Sequence, residues 1–156
     1  YYQTYSSFWG HYSISVANNL YGKQQAAYQD SLFALIDHTS WDYRMSQASY
    51  YIWRDTLKSK EIYKELLEIE EVGTPNYAMI THSYSRLCHH QKKYDEEKKY
   101  LMLSAIADTR NATRENASLQ SLALIAYDEQ NLADAFKFTQ SAIDDVISSF
   151  PGHRNL

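Results

Sequence analysis

Helix joints recur at nearly even spacing along this chain, and that rhythm limits the folds open to it. The clearest joint is Gly73-Thr74-Pro75. Gly73 can take the left-handed conformation that closes a helix. Thr74 is a good N-cap, and the fixed φ of Pro75 suits a first helical turn. Trp41, Pro75 and Thr113 then stand as successive helix starts at nearly equal intervals. Phe150-Pro151-Gly152 closes the last helix in the same way. Between joints the apolar period is helical, as in Ile62, Leu66 and Ile69 at i, i+4 and i+7. This reading predicts an all-α chain of about eight helices, near 2–18, 21–37, 41–55, 58–71, 75–91, 94–109, 113–129 and 132–148. Short joints between consecutive helices imply antiparallel hairpins.

Composition agrees. Four Gly and two Pro are too few for the turns of an all-β protein, and no Gly-, Ser- or Pro-rich linker divides the chain, so residues 1–156 read as one domain. The net charge is −4 with both signs mixed throughout, so no basic stripe supports direct nucleic-acid binding by this segment. Apolar runs such as Leu122 to Tyr127 fall far short of the roughly 20 residues a membrane span needs. The start at Tyr1-Tyr2-Gln3 reads as part of a longer protein, so a missing signal peptide does not fix the compartment. Cys88 is the single cysteine and cannot form an internal disulfide.

The last two hairpins overlay when Tyr84 is laid on Leu122. Ser85 then matches Ala123, Cys88 matches Ala126, Tyr94 matches Leu132, Leu101 matches Thr139 and Ser104 matches Ala142. Each second helix follows a polar turn, Gln91-Lys92-Lys93 or Glu129-Gln130-Asn131. The run Leu119-x-x-Leu122-Ala123-x-x-Ala126, with Leu132-x-x-Ala135 and Ala142, resembles the tetratricopeptide (TPR) repeat. The unit of that repeat is a helix-turn-helix of roughly 34 residues. The match is degenerate: Gln130 stands where a turn glycine is usual. The resemblance implies hairpins stacked as a right-handed solenoid.

A second resemblance is narrower. Ala78-Met79 through Ser83-Tyr84, Lys99-Tyr100-Leu101 with Leu103 to Asp108, and Thr113 through Gln120 are similar to a family of membrane-anchored regulators of Bacteroides-type bacteria. In that family a TPR-like sensor region precedes a membrane helix, a cytoplasmic coiled coil and a DNA-binding part. The resemblance implies a periplasmic sensor region, one that binds a ligand or a protein or peptide partner. It covers most of residues 40–150 and concerns scaffold residues, so it supplies no ligand.

Few residues carry chemistry. His82, Cys88, His89 and His90 are metal-ligand types, but His82 and His89 share one helix face while His90 points elsewhere, which is no zinc spacing. Glu68, Glu70 and Glu71, with Asp95, Glu96 and Glu97, read as solvated charge at helix ends. No phosphate loop or nucleophile elbow is present. Hence no catalytic residue, cofactor or metal is expected. Asn111-Ala112-Thr113 and Asn116-Ala117-Ser118 fit the glycosylation pattern by chance.

Beside the buried stripe Thr81-Tyr84-Ser85-Cys88 runs the stripe His82, Arg86 and His89, with Gln120, Leu124 and Tyr127 as its equivalents in the next hairpin. First helices line the inner face of such an array, so these six residues are the candidate groove. Arg86 stands out because its planar fork can hold a carboxylate by two parallel bonds. A second candidate is aromatic. Nine of fifteen Tyr and all three Trp lie in residues 1–53, and Tyr5, Trp9 and Tyr12 crowd one helix side. The rival function is a structural spacer that joins two copies as a homodimer without a ligand of its own.

Overall fold

The computed structural model describes residues 21–22, 24, 27–28, 30–31, 33–111 and 116–149. Every regular element among them is a helix, and none is a strand. The helix expected over 2–18 and the closing motif at 150–152 lie outside the described residues. The chain divides into two compact units, residues 1–43 and 44–156.

In the first unit the described residues between 21 and 35 are helical. The chain then turns at Asp37, whose carboxylate accepts from the Thr39 N–H at 2.9 Å and the Thr39 hydroxyl at 2.8 Å. The Ser40 hydroxyl accepts from the Tyr43 N–H at 3.1 Å, capping the next helix. His38 stacks on Tyr43 with ring centroids 4.4 Å apart.

Six helices follow: α1 Trp41–Tyr51, α2 Thr56–Ile69, α3 Pro75–His90, α4 Tyr94–Arg110, α5 Ala117–Asp128 and α6 Leu132–Ser149. α1 stops at Tyr51, short of the expected 55, because Asp55 is already the N-cap of α2. Its side chain accepts from the Lys58 N–H. The joint before α3 forms as its residues dictate. Gly73 has φ +93°, the Thr74 hydroxyl accepts from the Tyr77 N–H at 3.2 Å, and Pro75 opens the helix. Asn111, at the end of α4, donates to the Gly73 carbonyl and so ties the two joints together.

The turns α3–α4 and α5–α6 are copies of each other. Lys92 and Gln130, which match in the overlay of the two hairpins, have φ 58° and 61°. Lys93 N–H reaches Cys88 C=O at 2.9 Å, and Asn131 N–H reaches Ala126 C=O at 2.9 Å. This six-to-one bond closing over a left-handed residue is the Schellman closure.

Small residues let the paired helices approach. Ala48, Ser59, Ala78, Ser104 and Ala107 are all buried. Ser59 donates to the Ala48 carbonyl at 2.7 Å, and Ser104 to the Ala78 carbonyl at 2.9 Å, so each hydroxyl is satisfied across a helix pair. Tyr77, Ala78 and Ala107 form one apolar cluster with Leu67 and Leu103 against it. Leu101, Ala105 and Leu122 form another, joined by Leu119, Ile125 and Phe138, and this cluster seats α5 on α4. Tyr63, Tyr84 and Tyr100 link α2, α3 and α4 edge to face, with centroids 5.8 and 4.5 Å apart.

Candidate functional site

α3 spaces His82, Arg86 and His89 at i, i+4 and i+7, which sets them on one face. That face borders a cavity of about 290 Å³. Ser85, Glu97 and Leu101 complete its floor, and Trp53 and Ser121 its flanks. The other half of the expected groove does not join it. Gln120, Leu124 and Tyr127 stand exposed on α5, where Ser121 alone reaches the cavity. Tyr5, Trp9 and Tyr12 lie outside the described residues.

A chain of hydrogen bonds orients His82. Ser104 donates its proton to the Ala78 carbonyl at 2.9 Å. Its oxygen therefore accepts from Ser118 at 2.8 Å. Ser118, with its proton so committed, accepts from His82 Nδ1 at 3.0 Å. A hydroxyl has one proton to give, so His82 carries hydrogen on Nδ1.

Glu97 lines the same cavity, although its place among the acids of a first turn reads in the sequence as solvated charge. It sits in the first turn of α4, where an acid is ordinary, yet it is only 8% exposed. Asp95, Glu96, Glu68 and Glu71 are exposed as expected, and Glu70 is partly buried. Both Glu97 oxygens lie 3.0 Å from His89 Nδ1, so one N–H is shared between them. The overlay of the hairpins held the signal: Glu97 falls opposite Ala135, which is also buried. An acid at a position that otherwise takes a small apolar side chain is a local rule broken, and such breaks concentrate at functional sites. Trp53, exposed in the turn after α1 with its ring edge-on to His90 at 4.4 Å, had no comparable signal.

Arg86 is exposed, and its guanidinium makes no hydrogen bond or ion pair among the described residues. Cys88 is the opposite case. It is buried beside the site, and burial together with the nearby Glu96 carboxylate pushes its thiol up to about 11. At neutral pH it is a protonated packing residue without nucleophilic character. Burial likewise raises the Tyr63, Tyr84 and Tyr100 phenols, which stay neutral. Among the described residues no three His, Cys, Asp or Glu side chains converge as metal ligands. Asn116 is buried and donates to the Ala142 carbonyl at 3.1 Å, a packing role for that chance glycosylation match.

A family model described as the SusR N-terminal TPR domain matches residues 1–154. The chain belongs to that family. No curated protein and no solved structure matches it. In this TPR domain the stacked pairs α3–α4 and α5–α6 are two repeats, and Lys92 and Gln130 occupy their left-handed turn positions without glycine. No helix among the described residues of the TPR domain is long and apolar enough to cross a membrane.

Proposed function

We propose that this TPR domain is the non-catalytic sensor module of a SusR-like regulator, and that it binds a protein or peptide at the cavity beside α3. Arg86 would hold the partner's carboxylate. The observation that carries the reading is the convergence of His82, Arg86 and His89 on one cavity with a buried carboxylate at its floor. Among the described residues the Arg86 guanidinium makes no hydrogen bond or ion pair, so its five donors can serve a ligand. By family resemblance the domain would lie in the periplasm, and binding would signal through a membrane helix to a DNA-binding part beyond this segment. The test is a melting-temperature screen against peptides and glycans, repeated on Arg86→Ala. A carboxylate-ended peptide should raise the midpoint of the native domain, and the shift should vanish in the variant. Stabilising ligands that act equally on both proteins would place the site elsewhere.

One observation favours the spacer reading instead. Leu132, Phe136 and Ile143 share one face of α6 and are 63%, 69% and 45% exposed. In the overlay Ile143 matches Ala105, part of the surface by which α4 seats α5. A helix from a second copy would fit there. Sedimentation analysis decides it: a dimer dissociated by Phe136→Asp supports the spacer, and a monomer at high concentration removes it.

A further inference from the structure

We infer that the cavity beside α3 takes a small zwitterion, an amino acid or a dipeptide, with its carboxylate on Arg86 and its ammonium on Glu97. This rests on the ligand-binding reading above and names the ligand class. Two charges of opposite sign line one cavity and do not pair with each other. Among the described residues neither has its full set of hydrogen-bond partners. The Glu97 carboxylate is buried and accepts from His89 alone among the described residues, with both oxygens sharing a single N–H. A carboxylate offers about four lone-pair positions, and a buried charge is costly until those are filled. The Arg86 fork has donors to spare.

Simple ions fit badly. An anion alone would satisfy Arg86 but sit in the field of Glu97. A cation alone would satisfy Glu97 and meet Arg86. A ligand carrying both charges satisfies both. Size points the same way, since about 290 Å³ lies at the lower edge of the roughly 300–1,000 Å³ typical of drug-sized ligands. Trp53 and Leu101 give the lining its apolar share, suited to a ligand side chain or to the stem beside an ammonium. The next repeat supports the assignment by contrast, because Leu124 and Ala135 replace Arg86 and Glu97 there.

The experiment is calorimetric titration of the 156-residue chain with L-alanine and L-alanyl-L-alanine, and with the dipeptide's N-acetyl and C-amide derivatives. The native chain should bind the free dipeptide or the amino acid. Acetylation and amidation should each weaken dipeptide binding at least tenfold. Glu97→Gln, with folding checked by circular dichroism, should erase the penalty for acetylation and keep the penalty for amidation. Arg86→Gln should do the reverse. If the acetylated dipeptide binds as well as the free one, the ammonium assignment is overturned while the carboxylate reading stands. If acetylation is penalised and amidation is not, Arg86 loses its role and both readings fall. If neither free zwitterion binds, the zwitterion inference is wrong, and the peptide and glycan screen decides the broader reading independently.

Discussion

The hairpins α3–α4 and α5–α6 share a backbone and differ in what they carry. Their turns superpose bond for bond, down to left-handed Lys92 and Gln130. Their cores correspond as well: Tyr84 and Leu122, Cys88 and Ala126, Ser104 and Ala142 are buried pair by pair. The stripe beside that core diverges. His82, Arg86, His89 and Glu97 in the first hairpin become Gln120, Leu124, Tyr127 and Ala135 in the second. The repeat thus fixes where side chains stand, and the individual sequence decides what stands there. A scaffold indifferent to its lining can build a charged cavity in one repeat and an apolar surface in the next.

The largest expected effect tests the shared scaffold. Ala78→Trp and Ala135→Trp force a large ring into positions 2% and 8% exposed. Overpacking of this kind costs about 1–3 kcal/mol, and each variant should melt clearly below the native chain. Ala123→Trp should cost less, because Ala123 is only partly buried. Equal melting temperatures for all three would mean that the register joining the hairpins is misplaced.

Glu97→Ala makes the first hairpin resemble the second at its most telling position. The His89 side chain is 65% exposed, so water can take its N–H once the carboxylate is gone. Stability should therefore stay within about 1 kcal/mol of native by chemical denaturation. A loss of several kcal/mol would recast Glu97 as a structural residue and weaken its place in a binding site.

The smallest effect concerns the turns, where the hairpins should respond alike. A side chain in the left-handed region costs about 1–2 kcal/mol, and glycine's extra freedom when unfolded offsets about 0.5–1 kcal/mol. Lys92→Gly and Gln130→Gly should each stabilise by about 0.5 kcal/mol in the same assay. Destabilisation by one and not the other would break the equivalence of the turns.

Much of the scaffold was legible in the sequence because local rules carry it. Gly73, Thr74 and Pro75 act through their own backbone preferences, and the overlay of the hairpins exposes small residues where helices meet. The site was half legible. The spacing of His82, Arg86 and His89 fixes a common face without tertiary information. The burial of Glu97 comes from how α4 rotates against α3, and an acid in a first turn looks the same whether water or His89 meets it. The six-residue groove assumed that repeats continue one stripe, whereas α5 sends Ser121 to the cavity and leaves Gln120, Leu124 and Tyr127 exposed.

On the proposed reading one hairpin holds the ligand site and its near-copy does not. Two-dimensional amide NMR of the isotope-labelled domain, titrated with L-alanyl-L-alanine, tests it directly. Shifts should be confined to residues 82–101, the Trp53 indole and Ser121, with the amides of Gln120, Leu124, Tyr127 and α6 unmoved. Shifts centred on Leu124, Tyr127 or α6, with Arg86 and Glu97 silent, would contradict it.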